Sequence, residues 1–349
     1  MILVDANLVR GPWQRSGSIV KAWRGLLAII VTFALAQAAA AQEPVKLRVV
    51  FPSPPILPFL PHLVADRQGW FTKAGLDVEE VYIMGDPNAV RALVSGTADL
   101  AYTGAFTAYT GISEGAPFKV IASEQPVPDF RLIAQDKYKT LKDLEGKRIA
   151  VSALGSMTQI MPELIMTKHA VNIAAISFLA VGESARRLQA VLADRADATL
   201  IDTMAYVRQK PLGGINLIAS VPEELPTVAF SYVIAKNSDI ADAKTHRAFE
   251  IYLRWGVIEG CRFIMKHPDE AAEAYKARAP ELDLTLIQDA VRALNESNIW
   301  GVNGVVSRDS ADETIKLARQ GNFVKRDLTY AAAVDGSMVD KALAEAGPP

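Results

Sequence analysis

Residues Asp77 to Gly104 read DVEEVYIMGDPNAVRALVSGTADLAYTG, and this stretch decides the fold class. Asp77–Ile83 has the branched and aromatic content of a strand. Asp86 suits a helix N-cap. Pro87 takes the first helical position, where its missing N–H costs nothing, and Gly96 closes the helix. ADLAYTG then returns to strand character. Strand, helix and strand in immediate succession make one step of a doubly wound α/β sheet.

The same alternation extends in both directions. Upstream, Lys46–Phe51 (KLRVVF) reads as a strand and runs into PSPPILP, where prolines forbid both strand and helix. LPHLVADRQGWFTKAG follows as a helical pattern closed by Gly75. Downstream come a short helix (AFTAYTGISEG), a strand (FKVIAS) and a further strand, Arg131–Asp136. A second series then begins: GKRIAV, AISFLAV, GESARRLQAVLADR, ADATLI and DTMAYVRQ. Thr227–Ala235 is extended, and from Ala243 helical patterns dominate to the end. Parallel, doubly wound sheets are the expectation.

The turn after the strand Lys147–Val151 reads VSALGSMTQ (Val151–Gln159) and leads into a helical pattern. It has one glycine and no lysine, so it is neither a Walker loop nor a dinucleotide fingerprint. Two readings remain. Ser156 or Thr158 caps the helix, or the free N–H groups of the helix start receive the anionic or acceptor end of a small ligand.

The chain has 349 residues. Its first 41 read as a secretory signal peptide: Arg10, Arg15, Lys21 and Arg24 precede the apolar run Leu26–Ala36, and Ala39 and Ala41 fit a small-residue cleavage site. Removing those four basic residues and Asp5 leaves 33 basic against 38 acidic side chains, a net charge of −5. That balance argues against nucleic acid or an anionic membrane as partner. Cys261 is the only cysteine, so no intrachain disulfide forms and no lipid anchor is carried near Ala41. It sits among apolar residues and reads as a small buried hydrophobe. His62, His169, His246 and His267 show no ligand spacing, so no metal site is expected, and no cofactor or catalytic signature is present.

Four motifs in order (GWFTKAGLDVE, ALVSGTADLA, LKDLEGKRIAV followed by Gly155-Ser156, and LQAVLADRADATLID) resemble the nitrate/sulfonate/taurine group of ABC-importer substrate-binding proteins, which includes relatives binding thiamine-pyrimidine precursors. The resemblance covers about Lys46 to Asn237, and the helical remainder more loosely. It implies a type II periplasmic-binding-protein fold: two doubly wound α/β domains joined by two extended crossovers, with the ligand in the cleft between. The crossovers are expected near Phe130–Ala134 and Ala229–Val233. The first domain is then 46–129 plus 228–349, and the second is 130–227. The implied function is a periplasmic, monomeric receptor that hands a small solute to a membrane permease with its ATPase subunit. Two alternatives stand beside it: an enzyme on the same scaffold, disfavoured because the pyrimidine-precursor synthases share a cysteine-rich motif that this chain lacks, and a sensor not coupled to transport.

Ligands of open α/β sheets bind beyond the carboxyl ends of the strands. On this topology those ends give Ser53, Pro54, Gly85, Thr103, Gly104, Ala105 and Phe106 in the first domain. In the second they give Ser152, Gly155, Ser156, Met157, Thr158, Glu183 and Asp202. Asp86 is expected to cap its helix, and Asp197 to be structural. None of these stretches carries Lys or Arg, and Arg186 and Arg187 are expected to face solvent or Glu183. The expectation is an organic ligand, its polar or anionic end at the Gly155-Ser156 turn and a donor end at Asp202 or Glu183. Taurine-like sulfonates and amino-pyrimidines rank above nitrate.

Overall fold

The computed structural model describes residues 43–349. The expected leader and its cleavage point lie outside the described residues. Among the described residues, ten strands form two five-stranded sheets. β1 (Val45–Phe51), β2 (Leu76–Tyr82), β3 (Leu100–Gly104), β4 (Phe118–Gln125) and β10 (Ser231–Lys236) make the first, in the order β2-β1-β3-β10-β4. β5 (Phe130–Gln135), β6 (Arg148–Val151), β7 (Ser177–Ala180), β8 (Ala198–Asp202) and β9 (Ile215–Ser220) make the second, in the order β7-β6-β8-β5-β9. The chain crosses between lobes twice, at Gln125 to Phe130 and again between β9 and β10. This is the two-domain type II architecture.

The sheets are mixed, which corrects the parallel expectation. β5 and β10 each run antiparallel to both neighbours. Each is the strand by which the chain enters a lobe from the other one, so it runs against the strands wound within that lobe. β9 is a second correction. INLIAS alternates weakly and was not expected as a strand, yet it pairs with β5 at the sheet edge. The prolines of PSPPILP permit one 3-10 turn, Leu57–Phe59. The helix after it breaks at Gly69, whose φ of 65° is left-handed, giving Leu60–Arg67 and Trp70–Lys73. Pro162 lies inside the helix Met157–Lys168.

Both lobes use one device to set register. In the first, Arg48 on β1 binds Asp99, which accepts from the Arg48 backbone N–H at 2.8 Å and from its guanidinium. In the second, Arg148 on β6 binds Asp197 in the same way at 2.9 Å. The recurring Ala-Asp before β3 and β8 is thus a clamp that pins a central strand to the start of its parallel neighbour. Burial pushes the Asp197 carboxyl up, but Arg148 and the Tyr138 hydroxyl outweigh it and hold the group down to about 2.

One apolar cluster runs through both lobes. It links Ala89, Phe106 and Tyr109 of the first to Met157, Ile160 and Ile165 of the second. A separate cluster under the first sheet holds Phe51, Tyr102, Phe249 and Tyr252. The carboxyl ends of β1, β2 and β3 face those of β6, β7 and β8 across a cleft, because each strand is followed by a helix that returns along its sheet.

Candidate functional site

A cavity of 330 Å³ lies between the lobes. The first lobe contributes Pro52–Ile56 beyond β1, Met84 and Asp86 beyond β2, and Thr103 and Gly104 at the end of β3. The second contributes Ser152, Met157 and Thr158 beyond β6, Glu183, Ser184 and Arg187 beyond β7, and Asp202, Met204 and Arg208 at β8. Phe130, Phe230 and Ser231 line it from the crossovers. Tyr275, near the end of the helix Pro268–Lys276, and Arg278, Glu281 and Leu282 in the segment after it close the cavity.

Nine of the fourteen expected residues are therefore on the wall: Ser53, Pro54, Thr103, Gly104, Ser152, Met157, Thr158, Glu183 and Asp202. Gly85, Ala105, Phe106, Gly155 and Ser156 are not brought to it. Gly85 faces Ala153 of the other lobe, where a Cβ would stand 2.4 Å from the Ala153 Cβ. The Ala105 N–H donates to the Phe230 carbonyl at 2.8 Å. Phe106 is buried against Phe323. Ser156 is buried in a hydroxyl triangle with Ser152 and Thr158, at 2.7–3.0 Å.

The Gly155-Ser156 turn is already occupied by the chain itself. The Gly155 N–H donates to Gln159 Oε1 at 2.8 Å, and the Ser156 N–H to the Ala153 carbonyl at 3.2 Å. The Met157 N–H donates to Asp86 Oδ2, 3.2 Å away, while Asp86 Oδ1 accepts from the Gly104 N–H at 2.8 Å. Asp86 makes no side-chain cap to its own helix, Asp86–Val94, which starts from Gly85. Both oxygens go instead to the starts of two other helices, one per lobe. Burial pushes the Asp86 carboxyl up against the pull of those N–H groups and of the Arg187 charge.

Asp202 caps and lines at once. Oδ1 accepts from the Ala205 N–H at 2.9 Å, and Oδ2 from the Ser184 hydroxyl at 3.0 Å. Glu183 pairs with Arg186 at 3.0 Å and is half-buried. Behind the wall, Ser231 donates to Glu124 Oε1 at 2.6 Å. Glu124 Oε2 is buried with no partner among the described residues, and burial pushes this carboxyl up to about 7.

Three cationic side chains reach the wall, which overturns the expectation of none. Arg187 is only 4% exposed. Its guanidinium donates to the carbonyls of Gly182 and Leu200, at 2.5 and 3.0 Å. Burial lowers it to about 10, while the charges of Asp202, Asp86 and Glu183 oppose that. Arg278 pairs with Asp66 and Glu80, and Arg208 is exposed at the rim. Helical spacing offered one signal. Arg187 precedes Leu188 and Val191 on the apolar face of Ser184–Leu192, whereas Arg186 lies outside it. Tyr275, Arg278 and Glu281 carried no comparable signal, because nothing local shows that the helix Pro268–Lys276 and the turn after it return to the cleft. The histidines each face a glutamate: His62 Glu80, His169 Glu224, His246 Glu250 and His267 Glu270.

Residues 57–271 match the protein family described as NMT1/THI5 like. A protein of Brucella abortus (strain 2308), named only as a binding protein, is 24% identical over 74% of this chain and 76% of its own. Two of the solved structures that share the fold illustrate it. One is a ligand-binding component of an ABC-type import system from Staphylococcus aureus, at 13% identity and a TM-score of 0.66, covering 86% of this chain and 99% of that one. The other is the alkanesulfonate-binding protein SsuA from Xanthomonas axonopodis pv. citri bound to MOPS, at 16% identity and a TM-score of 0.65, covering 84% and 99%.

Proposed function

The chain belongs to the NMT1/THI5-like family, and on that premise we propose that it is the solute-binding receptor of an ABC importer. It is exported to the periplasm, works there as a soluble monomer, and delivers a small organic solute to a membrane permease with its ATPase subunit. One observation carries this reading: the 330 Å³ cavity takes its wall from both lobes. A solute in it touches both at once, and domain closure around a ligand is the hinge motion of such receptors. Among the described residues no helix is long and apolar enough to cross a membrane.

The wall favours a solute with both donor and acceptor groups on a compact apolar body. Arg187, Arg208 and Arg278 stand against Asp86, Glu183, Asp202 and Glu281, with Phe59, Phe130 and Phe230 between. A sulfonate or taurine-like solute, or an amino-pyrimidine, meets that pattern better than nitrate, which has no donor for the carboxylates. A thermal-shift screen of sulfonates, carboxylates, amino-pyrimidines and nitrate tests it. A ligand at 100-fold excess over its Kd stabilises by about 2.7 kcal/mol. A hit recovered unchanged supports a receptor. Turnover of the hit, or absence of any shift across these classes, counts against it.

A further inference from the structure

One carboxylate holds the lobes together where a ligand anion was expected. Asp86 is the first residue of Asp86–Val94; Gly104 precedes Ala105–Ser113, and Met157 opens Met157–Lys168. Three helix starts thus converge on a single side chain, two from the first lobe and one from the second. Each start carries a partial positive charge, and the Gly104 and Met157 N–H groups point at Asp86, so together they form an anion pocket. The pocket is filled: Asp86 Oδ1 accepts from Gly104 and Oδ2 from Met157.

The surrounding contact is shaped for this occupant. Gly104 leaves the volume in which Met157 lies, since a Cβ there would stand 1.8 Å from Met157 Cγ. Gly85 does the same for Ala153. Thr107 adds a second interlobe bond, its hydroxyl donating to the Gly155 carbonyl at 3.1 Å. Asp86, Gly104 and Met157 also border the solute cavity.

We infer that Asp86 is a built-in anion that latches the two lobes at this corner and bars a solute's anionic group from it. Closure there needs no ligand charge. An anionic solute is directed to the arginine side of the cavity, because beside Asp86 it would meet a carboxylate that already takes the Gly104 and Met157 N–H groups. The latch concerns the lobes themselves and stands whether or not the solute is delivered to a permease.

The test uses the mature chain and formate as probe. Asp86→Ala empties the pocket and leaves three helix starts facing it. Formate then raises its Tm saturably, with an apparent affinity at least ten-fold tighter than for the unmodified protein. Asp86→Asn fills the volume but leaves one N–H unpaired, so formate gives no such rise. Equal formate responses in the Ala variant and the unmodified protein overturn the inference. The Asn variant also carries spin labels at Asp77 and Gln189, exposed positions in the two lobes. Without ligand its distance distribution shifts to longer separations; an unchanged distribution overturns the latch even if the Ala variant fails to fold.

Discussion

Replacing Glu124 by glutamine will flatten the dependence of stability on pH. Glu124 is the penultimate residue of β4, fully buried behind Ser231. Its neighbours include Tyr102, Tyr252 and Cys261, none of them cationic, and burial pushes each of these three well above its ordinary value, so none titrates near neutrality. The folded protein holds the Glu124 proton up to about 7, whereas the unfolded chain releases it near the ordinary 4.5. Between those values the folded state binds more protons, so stability falls as pH rises. At about 1.4 kcal/mol per pH unit, the fall attributable to this group is about 3 kcal/mol. It is complete once pH exceeds 7, and absent below 4.5. Glutamine keeps the acceptor for Ser231 and cannot ionise. The variant should match the unmodified protein to within about 1 kcal/mol at pH 5 and exceed it by about 1–3 kcal/mol at pH 8.5. Urea denaturation of ligand-free protein across that range, followed by tryptophan fluorescence, measures both. If the difference between the two proteins does not change with pH, Glu124 is not the titrating group and the burial argument fails.

Gly104→Ala has a permitted backbone, φ −66°, yet drives a methyl into Met157. It should cost about 1–3 kcal/mol by overpacking, and less than the sum when combined with Met157→Ala; strict additivity in denaturation would show that the two do not touch. Asp197→Asn removes a carboxylate held down to about 2 by Arg148 and Tyr138. It should cost about 2 kcal/mol at neutral pH. Because the group is depressed, that stability is present above 3.8 and lost as pH falls towards 2, so acid titration should bring the two proteins together. Asp202→Asn and Glu183→Gln should weaken an amine-bearing ligand by about 1.5–3 kcal/mol in calorimetry, as expected of a charge-assisted hydrogen bond. Tight nitrate binding insensitive to both would sink that assignment.

The order of strands and helices was legible because its signals are local. Gly85-Asp86-Pro87 and Gly96 bracket one helix through backbone conformations that only neighbouring residues decide. The alternation of such segments is enough to imply a wound sheet, and hence a cleft at its strand ends. The clamp residues Asp99 and Asp197 stood in a recurring Ala-Asp, and Asp202 stood at a strand end. Periodicity records that a face is buried, not what it is buried against. Asp86 read as a helix cap because its sequence neighbours allow one; its actual partner, Met157, is 71 residues away on the other lobe. Arg187 read as facing solvent or Glu183 from its place one turn into a helix, and only the fold supplied the carbonyls of Gly182 and Leu200 that receive it. Tyr275 and Arg278 joined the wall through packing of the C-terminal helices, a contact between distant segments that no short stretch of chain encodes.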